Sequence, residues 1–405
     1  MLAAMQHNMK LLAQHTLNGY GGMGEGMSLQ LARGGRRILW LAHESAPKNF
    51  TAVDVSDPRS PRVIVQTDLP HRAMRSNSLE VCSDLMAVAY QVAVSGAKPA
   101  GFELFDIAEP ERPRSIAFFD ASAPHSRGCH VLWFVDGKTV HMACADPELT
   151  PRDPKDDQIY RIVDVSNPSR PMALGRWHLP GTMEADEAPP PQRLAPQFDA
   201  GFRAHNTNVY PERPDRCYLG YLDGGMMVLD ISDASRPQLV SRWSNSPPYN
   251  GFTHTVLPLF GRDLLVVTDE SIMNDGADWP KLVWLLDARD EKNLVSIGTL
   301  PVTGVKPLLH KGGRCGAHNV HENRPGEGTW RSEDIVLGTF FNAGVRAYDV
   351  RDPFAPREIA YFVPPTPEGS PVPTAQINDV FVDDRGIVFA VDRHAGGLYC
   401  LEMNI

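Results

Sequence analysis

Four of the chain's 14 histidines stand in similar settings. They are His130 in RGCHVLWF, His205 in FRAHNTNVYP, His254 in GFTHTVLP and His318 in CGAHNVHEN. In each case small or polar residues precede the imidazole and a strand-forming run follows it. Brought together, imidazoles supply neutral nitrogen donors, which suit iron, copper, zinc or nickel rather than magnesium or calcium. The structural alternative is that each ring bonds a neighbouring carbonyl and stiffens its loop; four in matching positions favour the ligand set. One acid, Glu25 in GMGEGMSL, falls at a comparable place, as a ligand, a ligand-orienting group or a general base. Arg75, Arg127, Arg203 and Arg314 each lie a few residues ahead of such a position. Guanidinium groups gathered on one rim repel unless carboxylates pair with them or an anion binds, and their planar fork suits a carboxylate.

A recurring phrase shows which elements must hold these residues. AVDVSDPRSPRVIVQT (52–67), LFDIAEPERPRSIAFF (104–119), IVDVSNPSRPMALGRW (162–177), VLDISDASRPQLVSRW (228–243), LLDARDEKNLVSIGTL (285–300) and AYDVRDPFAPREIAYF (347–362) are six copies of one strand–turn–strand unit. Asp, Asn and Ser bond their own backbone in tight turns and Pro presets φ, so each copy reads as a hairpin. The third-position acids Asp54, Asp106, Asp164, Asp230, Asp287 and Asp349 are 52, 58, 66, 57 and 62 residues apart. A repeat of about 40–60 residues holding some four strands is the signature of a β-propeller blade. A seventh unit ends at GLYCLEMNI (397–405), one strand short, and MKLLAQ (9–14) matches PRVIVQ (61–66), the strand that follows the first phrase. The expected fold is all-β, a single seven-bladed propeller over 1–405, closed by the N-terminal strand pairing into the C-terminal blade.

Counting from each phrase Asp to the next inner strand puts Glu25, Asn77, His130, His205, His254, His318 and Asn378 at one level around the axis. Asn77 and Asn378 read equally well as strand-start caps. His321 falls on the opposite strand face from His318 and reads as an inter-blade structural residue, with a site role the lesser alternative. Asp379, Asn206 and Asn319 could orient the ring imidazoles. HLPGTMEADEAPPPQRLAPQFDAGFR, around 178–203, and TPEGSPVPTAQ read as lids or walls near the mouth, or as plain spacers. Glycines in GYGGMGEG read as turn residues leading into the first inner strand; His394 and Cys129 have no clear part.

The phrase resembles that of the LVIVD-repeat proteins, which has the form vvDvsnPxxPxxv; the resemblance runs through nearly the whole chain and implies the fold. A seven-bladed propeller with four axial histidines also looks like the carotenoid cleavage oxygenases, which hold iron(II) by four His, and in outline like the selenium-binding protein/methanethiol oxidase group. Carried onto this chain, that likeness implies a metal site at His130, His205, His254 and His318, with iron(II) expected and copper, zinc or manganese as alternatives. Here the four histidines fall on consecutive blades and no apolar membrane-docking patch is visible, so a carotenoid is not the expected substrate.

A net charge of −10 argues against nucleic acid or an anionic membrane as the main partner. Six scattered cysteines without C-x-x-C pairs point to reduced, buried thiols. The N-terminus lacks a basic segment followed by a long apolar run, and no apolar stretch is long enough to span a bilayer, so the expected location is cytoplasmic. The expected function is that of a metal-dependent, oxygenase-like oxidoreductase acting on a small anionic or phenolic molecule, with Glu25, Arg75, Arg203 and Arg314 as catalytic or substrate-holding residues. The alternatives are a Lewis-acid hydrolase, lyase or decarboxylase at the same metal, or a non-catalytic propeller whose faces bind proteins.

Overall fold

A computed structural model describes residues 4–194 and 196–405. Seven antiparallel sheets succeed one another along the chain and form a seven-bladed propeller; among the described residues the only helical elements are five short 3-10 turns. The phrase supplies the third and fourth strands of six blades. In all six copies the third-position Asp accepts the backbone N–H two residues on, as Asp54 does from Ser56 (3.1 Å) and Asp164 from Ser166 (2.8 Å). In most copies a second Asp or Asn repeats this three residues later, as Asp57 does for Arg59 at 2.9 Å. These side-chain bonds replace the ladder where the chain reverses. Just before each of those acids the pairing slips by one residue, at Ala52/Val53, Leu104/Phe105, Ile162/Val163, Val228/Leu229, Leu285/Leu286 and Ala347/Tyr348. A bulge at the same point in each blade adds local twist.

The inner strands are Met23–Ala32, Leu79–Cys82, Cys129–Trp133, Thr207–Tyr210, Thr253–Leu259 and Ile377–Val382. In the sixth blade the run 318–321 takes that place, bonding Ile335–Thr339 through His318 N to Thr339 O (3.0 Å) and His321 N to Leu337 O (2.9 Å). The inner and middle strands are largely buried and interlock between blades, with Trp40, Trp133, Tyr160, Tyr210 and Tyr348 among the largest fully buried side chains. Burying such rings on both faces of every sheet is what a closed radial stack allows.

Closure follows the expected strand. Met9–His15 is the outermost strand of the seventh blade, paired from Met9 with Met403 to His15 with Leu398. The N-terminus goes further than the sequence suggested. Met5–His7 pairs with Tyr361–Val363 as an extra outer strand on the sixth blade, and Asn8, in the left-handed region at φ 49°, steers the chain from one blade to the next. All six cysteines are free, five of them buried. No helix among the described residues is long and apolar enough to cross a membrane.

Candidate metal centre

Each ring position lies where an inner strand departs from regular pairing. The ladder between the first and second strands jumps from Cys129 to Val131, from Thr253 to Val256, from Ile377 to Asp379 and from Met23 to Met27. The residues skipped include His130, His254, Asn378 and Glu25. A bulge turns a side chain off its alternating face, and those at Glu25, His130 and His254 aim theirs inward. His205 and His318 sit just ahead of regular pairing, with His205 N bonded to Gly220 O at 2.8 Å. Glu25 has the most exacting backbone. Its N–H bonds Asn77 O at 2.7 Å, and a Cβ on Gly24 or Gly26 would lie 2.2 Å from Asn77 O or Leu79 N. The glycine pair therefore lets the first blade press against the second and push Glu25 into the channel, a more specific role than a turn.

Six donors converge. Glu25 Oε2 lies 3.3 Å from His254 Nε2 and 3.6 Å from His205 Nε2, and Glu25 Oε1 lies 3.5 Å from His318 Nε2. His130 Nε2 is 2.9 Å from His205 Nε2. Glu270 adds a second carboxylate, 3.6 Å from His318 Nε2 and 3.9 Å from His254 Nε2. These side chains form three overlapping donor triads: Glu25–His254–His318, Glu25–His130–His205 and His205–His254–Glu270.

The far ring nitrogens settle which atom faces inward. His130 Nδ1 bonds Gln91 Oε1 at 2.9 Å, an oxygen that also accepts from Arg75 Nε at 2.7 Å. His205 Nδ1 bonds Asn206 Oδ1 at 2.8 Å, while Asn206 Nδ2 donates to Glu322 at 2.7 Å, which fixes the amide's orientation. His318 Nδ1 donates to Asn378 O at 2.7 Å, and His254 Nδ1 pairs with Thr255 Oγ1 at 2.7 Å. The carbonyl-type oxygens outside His130, His205 and His318 accept from Nδ1–H, so the Nε2 lone pairs of these three rings point inward toward Glu25 and the neighbouring imidazoles. No protein group satisfies His254 Nε2, His318 Nε2 or Glu25 Oε2, all buried. Orphaned buried acceptors are costly, and lone pairs in mutual contact more so, unless a cation sits among them. Nitrogen ligands lie about 2.0–2.1 Å from such an ion, so two at right angles would be about 3 Å apart, the separation found between His130 and His205. The donor set fits a transition-metal ion.

Burial is the first influence on the titration of His130, His205, Glu25 and Glu270. Burial, then the neighbouring His205 and Arg75, holds His130 well below the usual imidazole range; burial and His254 lower His205 to about 3. Burial raises the Glu25 carboxyl, but His205 and His254 hold it, net, well below the usual range. Glu270 is likewise brought down to about 2, burial being outweighed by His318 and Arg314. Phe341, buried in the left-handed region at φ 48°, stacks on His318 with centroids 4.7 Å apart; its turn FFNAG has a counterpart in YLDGG, where Leu222 is at φ 37°. Buried bulky residues held in that region are a strain commonly found beside functional groups.

At the rim, carboxylate pairing is the alternative that holds for most of the guanidinium groups. Arg75 bonds Glu44 at 2.6 Å and reaches His130 Nδ1 at 3.4 Å; Arg127 pairs with Asp157 and Arg314 with Glu270, both at 2.5 Å. Arg393, not singled out in the sequence, shares Glu44 with Arg75 and contacts Asn378 Oδ1 at 3.4 Å. Of these five, Arg203 alone has no carboxylate; it bonds Gln158 Oε1 (2.6 Å) and Ala200 O (3.1 Å).

Several supporting roles differ from those expected. Asp379 does not orient an imidazole; its carboxylate caps Val380 N, and Asn319 donates to Asn378 O. Asn378 clamps the Glu25 strand through Met23 O and Gly24 O, whereas both amide atoms of Asn77 are buried without a partner. His321 spends both ring nitrogens on the backbone of Trp330 and Val382. Cys129 is buried and its thiol is pushed well up by burial, which removes it as a nucleophile. The 178–203 insertion lies along the third and fourth blades, held by the Met183–Pro151 bridge and by Arg193 among Asp153, Asp156 and Asp199.

Glu270, Gln91, Glu44 and Arg393 escaped the sequence reading because it followed inner strands, whereas these four lie at the ends of second strands. A signal was available: HES at 43–45 and DES at 269–271 close two second strands alike.

Two segments match the LVIVD repeat. They are residues 157–178 and 217–244, spanning the third and fourth phrase copies. No curated protein matches the chain. Among solved structures it is similar to the β-propeller domain of Cps50 (Swd1) from Myceliophteria thermophila, with 13% identity, a TM-score of 0.56 and coverage of 95% of this chain and 99% of that one. It is also similar to a chain of the Mitotic Checkpoint Complex, at 9% identity, a TM-score of 0.55 and coverage of 98% and 93%. At these identities the likeness is one of fold.

Proposed function

We propose that this propeller is a metal-dependent enzyme whose transition-metal ion is held by His130, His205, His254 and His318 with Glu25, and which acts on a small anionic or phenolic molecule. The observation that carries the reading is the set of buried, inward-facing acceptors without partners, His254 Nε2, His318 Nε2 and Glu25 Oε2. Four neutral imidazoles and two carboxylates, Glu25 and Glu270, balance the charge of a divalent ion, and a nitrogen-rich set favours iron or copper over calcium or magnesium. Iron(II) is the ion of choice by likeness to four-histidine propellers, and such an ion supplies Lewis acidity and, with dioxygen, one-electron chemistry. The chain's own residues do the rest. Gln91, Asn206, Thr255 and the Asn378 carbonyl keep the imidazoles oriented. Glu25 supplies the anionic donor among the imidazoles. Arg314 holds Glu270, and Arg75 holds Gln91 against His130.

His205→Gln and His318→Gln test this. Each is expected to lose the metal and any turnover that depends on it, while the metal-free protein melts within about 3 °C of wild type. His178→Gln, whose imidazole pairs with Asp186 in the insertion, keeps the metal. Ring variants that retain full metal would assign these histidines to scaffolding. A second reading, a protein-binding propeller, draws on the solved relative titled Mitotic Checkpoint Complex; it expects no bound metal in the wild-type protein.

A further inference from the structure

Five guanidinium groups, those of Arg75, Arg127, Arg203, Arg314 and Arg393, stand at the mouth above the ring among the carboxyl groups of Glu25, Glu44, Asp157, Asp223 and Glu270. Four of the guanidinium groups are engaged by those acids. Arg203 is not. Its Nε and Nη1 use one hydrogen each on Ala200 O and Gln158 Oε1, and Nη2 has no partner among the described residues. The carboxyls nearest it are occupied: Asp157 by Arg127, and Asp223 by the backbone N–H groups of Ala200 and Gly201. The half-buried Arg203 is crowded by like charge, and burial followed by Arg127 lowers it to about 10. Beside this rim opens a cavity of about 370 Å³ whose wall includes Glu44, Arg75, Gln91 and Arg127 but not Arg203, and Gln91 bonds ring residue His130.

We infer that Arg203 is the anchor for the carboxylate of a small organic acid, whose remainder lies over the His130 side of the ring. A guanidinium with Nη1 and Nη2 hydrogens to spare holds a carboxylate edge-on through two parallel bonds, and Arg203 is the one of the five whose charge no carboxylate already pairs. The inference rests on the metal reading only for what the far end of the acid meets, so it can be tested with or without metal.

Titration calorimetry on the full chain, as purified and after chelator treatment, with benzoate, benzamide and inorganic phosphate as probes, decides it. Both forms are expected to bind benzoate saturably, with benzamide and phosphate at least about tenfold weaker; Arg203→Gln is expected to weaken benzoate by about tenfold or more, with Arg203→Lys in between. Benzoate binding that is unchanged within about twofold in Arg203→Gln, or is absent from wild type, would overturn the anchor. Phosphate or benzamide binding as tight as benzoate would overturn the carboxylate class. A protein that binds benzoate through Arg203 yet holds no metal would retain the anchor and lose the metal reading.

Discussion

At the scale of single residues, the channel below the ring is as unusual as the ring itself. Arg324 serves Glu80 at 2.7 Å and Glu322 at 3.0 Å, with Asp379 close by, so one cation faces three buried carboxyls. Burial raises Glu80 to about 8 against the pull of Arg324, with Glu322 and Asp379 adding to the rise; burial raises Asp379 to about 7 in the same field. A carboxyl whose folded pKa lies above its unfolded value stabilises the fold fully below the unfolded pKa, and that contribution is lost as pH rises through the folded one. The melting temperature is therefore expected to fall as pH rises from about 6 to 9, and Glu80→Gln, neutral throughout, is expected to flatten that fall; a parallel curve in the variant would contradict the assignment. The histidines were legible because the phrase set a register and a nitrogen donor is recognisable by type. Glu270 and Arg324 were not. Their meaning comes from partners, Arg314 and His318 for one and Glu80 and Glu322 for the other, that only the closed ring brings near.

At the scale of elements, two devices do the positioning. The phrase's Asp bonds to its own turn, which a sequence declares openly because the bonding groups are two residues apart. The bulges at Glu25, His130, His254 and Asn378 depend on how a strand meets the next blade, so the level of the ring could be counted while the inward turn of the Glu25, His130 and His254 side chains could not. The N-terminal strand shows the same contrast. MKLLAQ announced itself by matching a fourth strand, whereas Met5–His7 is too short to announce anything and yet covers the outer edge of the sixth blade. Removal of residues 1–17 is expected to open the edges of two neighbouring blades, lowering stability by several kcal/mol and producing aggregation. Size-exclusion chromatography with thermal melting checks this; a truncated protein that stays monodisperse with an unchanged melting temperature would show that the ring closes without the double strand.

At the scale of the whole molecule, seven repeats close around a channel whose two ends differ. One mouth gathers guanidinium groups over the six converging His and Glu side chains; the other opens into a cavity of about 280 Å³ lined in part by Glu80 and Arg324. A ring that only needed rigidity would satisfy its imidazoles with backbone groups, as His321 is satisfied; this one leaves Nε2 of His254 and His318 bare and brings two further Nε2 atoms to 2.9 Å. The central claim is that a metal ion occupies that gap. Elemental analysis of the full chain, expressed without a histidine tag in metal-supplemented medium, tests it most directly. The expected result is about one equivalent of a single transition metal per chain; less than about a tenth of an equivalent of any such metal would contradict the account.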